Sequence, residues 1–103
     1  MIRVVLSPEA EADALAAFRF YEDRREELGE RFRNHLGRAF TRLQNNPEEA
    51  PVVYRNLRRK LVHRFPYMVL YQLVPGVLYV VAIMHTKQEP ATWQHRVTSD
   101  EPG

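Results

Sequence analysis

The chain has 103 residues, near the commonest size for a single domain, and its apolar residues, 45% of the total, are spread along it as in chains that build a core. It contains no cysteine, which excludes disulfides, thiolate metal sites and thiol nucleophiles and points to a reducing, cytoplasmic setting. No apolar run approaches membrane-spanning length, and the opening Met1-Ile2-Arg3-Val4-Val5-Leu6 is too short, and lacks the small-residue cleavage site, for a secretion signal.

The net charge of +2 is unevenly distributed: residues 1–50 carry eight Arg against ten acids, and residues 51–103 carry seven Lys or Arg against three acids, two of them in the last four positions. The second half therefore presents the positive face, and an anionic partner is expected there.

Arg3 to Leu6 reads as a short strand. Ser7-Pro8-Glu9 then supplies an N-cap, a proline at the first helical position and an acid in the first turn. Ala10, Ala14, Ala17, Phe18 and Tyr21 fall at helical spacing, with Glu11, Arg19, Glu22 and Asp23 on the other sides. After a charged stretch from Asp23 to Glu27, the run Leu28, Phe32, Leu36, Phe40 and Leu43 repeats every three or four residues until Asn45-Asn46-Pro47 stops it. These two helices either form an antiparallel hairpin or fuse into one bent helix at Gly29. The hairpin is preferred, because both apolar stripes must reach one core.

Pro47 to Pro51 reads as a turn-rich connection, after which the period changes to two. Leu57 to Arg64 alternates weakly, Phe65-Pro66 turns, Tyr67 to Val74 and Val77 to Met84 are strongly β-prone, and Pro75-Gly76 is a tight turn between them. Such a meander needs one face covered, and the helical hairpin is the cover available. Pro90 can open a single helical turn through Trp93, and the polar tail 98–103 is expected to be disordered. The expectation is one α+β domain over 1–97: an N-terminal strand and a two-helix hairpin packed on an antiparallel three-stranded meander.

This order of elements resembles the RelE/ParE superfamily of bacterial toxins from Val4 to Arg96. The words that carry the likeness are Leu6-Ser7-Pro8-Glu9-Ala10-Glu11, Leu28-Gly29-Glu30-Arg31-Phe32, Asn46-Pro47, Leu57-Arg58-Arg59, Arg64-Phe65-Pro66-Tyr67 with Leu70-Tyr71, and His85 followed by Pro90 and Trp93. The resemblance implies a toxin encoded beside an antitoxin that wraps and silences it. Ribonuclease members cut messenger RNA on the ribosome with Arg, Lys and sometimes His or Tyr, whereas ParE-like members poison DNA gyrase. Aligned on Leu70-Tyr71-Gln72-Leu73, the middle-strand Arg of the ribonucleases falls on Met68, their second Arg on or beside Gln88, and their C-terminal Tyr near Trp93. Losing charge at a transition-state site costs several kcal/mol, so the resemblance favours the ParE-like branch, with gyrase as target and no cofactor. Two alternatives stay open: a ribosome-dependent endoribonuclease using Arg59, Arg64, His85 and Lys87, and a non-toxic member that only binds its antitoxin.

Arg55, Arg58, Arg59, Lys60, His63 and Arg64 form the densest basic cluster. Alternation on a strand puts Arg58, Lys60 and Arg64 on one face and Arg59 and His63 on the other, as a contact surface for antitoxin, gyrase or phosphate or, more plainly, as protection of an edge strand. His85 with Lys87 could make an acid/base pair, although a histidine capping the strand end explains it as well. His35 and His63 have no second ligand at metal-binding spacing, and Glu22-Asp23 with Glu26-Glu27 reads as a solvated helix face, so no metal is expected. Trp93 is a packing residue or a target contact, and Tyr67, Tyr71 and Tyr79 belong to core or rim or interleave with the basic residues on a nucleic-acid surface.

Overall fold

A computed structural model describes residues 1–97; the disordered tail expected at 98–103 lies outside the described residues. The elements are β1 (Arg3–Leu6), α1 (Pro8–Arg24), α2 (Leu28–Asn45), β2 (Val52–Tyr54), β3 (Leu57–Leu61), β4 (Tyr67–Val74), β5 (Val77–His85) and α3 (Pro90–Gln94). The expected meander is β3-β4-β5. The sheet is wider than the meander, because β2 adds antiparallel to β3 and β1 adds parallel to β5, giving five strands in the order β1-β5-β4-β3-β2. β2 falls between the turn-rich connection expected at Pro47 to Pro51 and the first strand expected from Leu57, where no separate strand was expected. It is three residues long and is joined to β3 through Arg55-Asn56, with Arg55 at φ 53°, a turn without the glycine that usually announces a hairpin.

The first helix starts as its sequence requires. Ser7 Oγ accepts the Ala10 N–H at 3.0 Å, and Pro8, Glu9 and Glu11 occupy the first turn. The hairpin connection is three residues, closed by Glu27 in the left-handed region at φ 73°. Glu22 is not a solvated face residue: its carboxylate accepts the N–H of Glu27 at 3.1 Å and of Gly29 at 3.0 Å, so the end of α1 caps the start of α2. Gly29 is required here by closeness rather than by φ. A Cβ would lie 2.7 Å from the Phe18 carbonyl oxygen and 2.8 Å from the Phe18 ring.

Both helices pack on one face of the sheet. Phe32, Leu36 and Leu43 of α2 with Ala10, Ala17 and Tyr21 of α1 meet Val69, Tyr71, Leu78, Val80 and Ile83. Tyr21, Phe32, Phe65 and Tyr67 make a cluster of edge-to-face and tilted rings at one end, with centroids 4.9–5.9 Å apart. The Tyr71 hydroxyl crosses this core and donates to the Pro47 carbonyl at 2.7 Å, fixing the α2–β2 connection. The hairpin is not the only cover. On the opposite face Leu57, Met68, Leu70, Val81, Ala82 and Met84 form a second core, closed by Trp93 of α3 and by Val97.

The register of β4 and β5 shifts at Leu70/Tyr71, so that Val81 is bulged between Val80 and Ala82. β1 stops opposite Val80, and side chains take over the open edge beyond it. Asp13 of α1 accepts the Ile83 N–H at 3.0 Å, and Arg96 donates to the Val81 carbonyl at 3.2 Å and to both oxygens of Asp13 at 2.6 and 3.3 Å. The segment after α3 is thereby tied to α1 around the sheet edge.

Candidate functional site

The basic cluster expected on one strand is divided among several environments. β3 ends at Leu61, and Arg64 stands in the turn before β4 with φ 70°, so the alternation argument does not extend to it. Arg58 and Lys60 share the helix-side face as expected, yet both are held by their own chain. Arg58 donates to the carbonyls of Ala50 and Glu48 at 2.7 and 3.1 Å, and Lys60 binds the Glu49 carboxylate. Arg59, on the other face, is exposed, as is Arg55 in the β2–β3 turn, whose guanidinium lies over the Tyr54 ring at 5.3 Å.

A cleft of about 500 Å³ opens where α2 passes β3 and the turn that follows it. His35, Arg38 and Arg42 line it from the helix, and Lys60, His63 and Arg64 from the strand and turn. The helix contributes at positions three and four apart, which places these side chains along one ridge. Phe65 supports the floor of the cleft, its ring 5.7 Å from that of His35. His63 comes within 5.6 Å of His35, ring centre to ring centre, a pairing of residues 28 apart that spacing arguments for metal ligands do not reach.

Electrostatics in the cleft follow from that crowding. Burial holds the His35 imidazole below its ordinary pKa, and the neighbouring Arg38, His63 and Arg64 lower it further, so a positive charge on this ring is disfavoured twice over. The Nδ1 of His35 is buried and meets no donor or acceptor among the described residues. Glu49, from the α2–β2 connection, is the acid at this end. Lys60 bonds it, and Arg42 donates Nε to both its oxygens at 3.1 Å, so its carboxyl sits below the usual range despite burial. Arg38 and Arg64 have no acid partner among the described residues.

The other candidate residues lie elsewhere. His85 ends β5; its Nδ1 accepts the Lys87 N–H at 3.0 Å and its ring stands edge-on to Tyr67 at 5.5 Å, which is the strand-capping role. Of the four residues of the ribonuclease alternative, Arg59 stands on the sheet face opposite the cleft that Arg64 lines, and no hydrogen bond joins His85 to either among the described residues. Met68 is 2% exposed within the second core, and Gln88 is exposed in the β5–α3 loop. Trp93 is 6% exposed against that core, so its indole presents no surface to a target. Tyr71 is core, and Tyr67 and Tyr79 are half buried. Asp13 and Arg96, which no sequence pattern singled out, are joined by two hydrogen bonds across 83 residues of chain.

No group of three or more His, Asp or Glu gathers as a metal site among the described residues, and no described helix is long and apolar enough to cross a membrane. The arrangement of Arg38, Arg42, Lys60 and Arg64 around the cleft can grip anions.

A strand leading into a helical hairpin on a mixed five-stranded sheet is the architecture of RelE/ParE-like toxins. The family model for the ParE toxin of the type II toxin–antitoxin system parDE matches residues 4–90, and the chain belongs to that family. Among solved structures the fold is similar to a chain of the chromosomal ParDE toxin–antitoxin system from P. aeruginosa, with TM-score 0.73 and 16% identity over 82% of this chain and 96% of that one. No curated protein matches the sequence.

Proposed function

We propose that the protein is a ParE-like growth inhibitor that acts by blocking DNA gyrase and is held inactive by a cognate antitoxin. Membership of the ParE family supports the toxin role. The observation that carries the choice of target is Met68. The position where the resemblance places a cutting arginine is a thioether sealed into the core, where no cation could reach a scissile phosphate. Arg59 and Arg64 stand on opposite faces of the sheet, which weighs against their acting together in its place. A surface that binds, rather than a centre that cleaves, fits inhibition of a large enzyme by contact.

The antitoxin is expected as a segment that folds on contact, because the toxin leaves apolar surface in two strips. Leu15 and Phe20 are exposed on α1, and Val52, Val53 and Leu61 are exposed at the β2–β3 edge of the sheet. The edge also leaves main-chain groups of β2 free to pair with an added strand, a common way to seat an extended peptide.

Purified protein incubated with gyrase, ATP and supercoiled plasmid tests this reading. The expected product is trapped, cleaved DNA with loss of supercoiling. Unaltered gyrase activity together with codon-positioned cuts in messages on translating ribosomes would replace it with the ribonuclease reading.

A further inference from the structure

The cleft between α2 and the β3–β4 turn gathers more positive charge than its own acid can neutralise. Among the described residues, Arg38, Arg42, Lys60 and Arg64 stand against Glu49 alone, which engages Arg42 and Lys60. Arg38 and Arg64 have no acid partner among those residues and stand on opposite walls, with the two imidazoles between the same walls. Two guanidiniums without an acid, in a concavity within the size range of small-molecule sites, are matched by an anion with several oxygens and more than one charge rather than by a single carboxylate. Glu49 already shows how a carboxylate sits here: it takes the Arg42–Lys60 side and leaves the other half of the cleft untouched. On the outer face of α2 the same Arg38 and Arg42 adjoin Asn34, Thr41 and Gly37, and at Gly37 a Cβ would meet nothing within 4 Å, so a ligand can extend from the cleft over an open polar surface.

We propose that this cleft is a binding site for a phosphoryl group, gripped by Arg38 and Arg64 with His63 and His35 beside them. The group could be the terminal phosphate of a nucleotide or a backbone phosphate of nucleic acid. The site stands apart from the choice between gyrase and ribosome, since it is argued from charge and shape alone. Its affinity is coupled to protonation. The groups facing His35 are Arg38 on its own helix and His63 and Arg64 on the turn, with Lys60 and the Glu49 carboxylate further along the strand wall. Burial, Arg38, His63 and Arg64 disfavour the imidazolium, and a bound dianion opposes their effect. Binding therefore takes up a proton at His35 and strengthens as pH falls through the imidazole range.

Sulfate is the first probe, because it stays doubly charged from about pH 5.5 to about pH 7.5, so that any pH dependence belongs to the protein. NMR titration of the intact chain with sodium sulfate, against sodium chloride at equal ionic strength, should shift the His35 and His63 ring signals saturably. The His35 titration midpoint should rise in sulfate, and affinity should rise as pH falls. The double variant Arg38→Gln, Arg64→Asn removes both free charges while keeping a residue type that tolerates the left-handed backbone at position 64. It should fold with an unchanged amide spectrum outside the cleft and bind about tenfold or more weakly, as expected for lost charge-assisted bonds. Adenosine monophosphate and an oligonucleotide lacking terminal phosphates then distinguish the sources: whichever shifts the same signals at lower concentration names the natural group. Shifts no larger than in chloride, equal binding by the double variant, or a response to a glutamate-rich peptide with none to sulfate or either nucleotide probe would overturn the proposal.

Discussion

Replacing Asp13 by alanine should loosen the whole C-terminal segment. The carboxylate accepts three hydrogen bonds, one from the Ile83 N–H and two from Arg96, and the two side chains are only 16% and 19% exposed. Hydrogen bonds to charged groups contribute about 1.5–3 kcal/mol each, and breaking a fully buried pair costs about 3–5 kcal/mol. Partial exposure and the freedom of Arg96 to turn towards water reduce this, so a loss of about 3 kcal/mol is expected. In a domain of this size that lowers Tm by about 12–24 °C. Trp93 is the sole tryptophan and is packed in the second core that Arg96 helps to close, so its emission reports the segment directly. Asp13→Ala should shift emission to the red at temperatures where the far-ultraviolet dichroism is still native, and Asp13→Asn, which keeps an acceptor for Ile83, should lose roughly half as much stability. A loss in Asp13→Ala below about 1 kcal/mol with unchanged emission would refute the claim that this network holds α3 to the sheet.

Gly29→Ala places a methyl carbon 2.7 Å from a backbone oxygen that cannot yield without moving α1, so the helices must separate, at a cost of about 1–3 kcal/mol in chemical denaturation. Tyr71→Phe leaves the Pro47 carbonyl without its donor, and should cost about 1 kcal/mol and speed amide exchange in the α2–β2 connection. Lys60 and Arg42 hold the Glu49 carboxyl below its ordinary value of 4.5, so the folded state binds this proton less readily than the unfolded chain. Its contribution to stability is complete above that value and is lost as pH falls through the lower folded one. Glu49→Gln should therefore be less stable at neutral pH and show a shallower decline in acid, read from denaturant midpoints across that range.

What could be read from the sequence was local. The Ser7-Pro8-Glu9 start of α1, the apolar stripe of α2, the β4–β5 hairpin with Gly76 at φ 77°, and the helical turn from Pro90 each depend on neighbours within a few residues. The pairings that needed the third dimension were not legible. β1 finds its partner in β5 at the far end of the chain, and three-residue β2 carries no pattern of its own. Glu22 looked solvated because its partners lie in the hairpin connection and the next helix, and the Arg96–Asp13 pair went unread because its members lie 83 residues apart.

The same reasoning explains how the site was read. Arg58, Lys60 and Arg64 were recognisable as charge, yet which of them is neutralised was decided by the carbonyls and carboxylate of the α2–β2 connection, two of whose acceptors are backbone. Arg38 and Arg42 lie on a helix read for its apolar stripe, so their contribution became visible only when α2 was laid against β3. Trp93 read as a packing residue or a target contact and Met68 as an alignment position, until α3 folded over the second face and made them one core.

The central claim is that this chain arrests growth unless its antitoxin is present. It is tested most directly by expressing the chain from a tightly regulated promoter, alone and together with the neighbouring open reading frame, and counting viable cells over time. Arrest by the chain alone that is relieved by co-expression is the predicted result. Normal growth with folded, soluble protein accumulating in the cells would contradict it and leave a member of the family that binds its partner without poisoning anything.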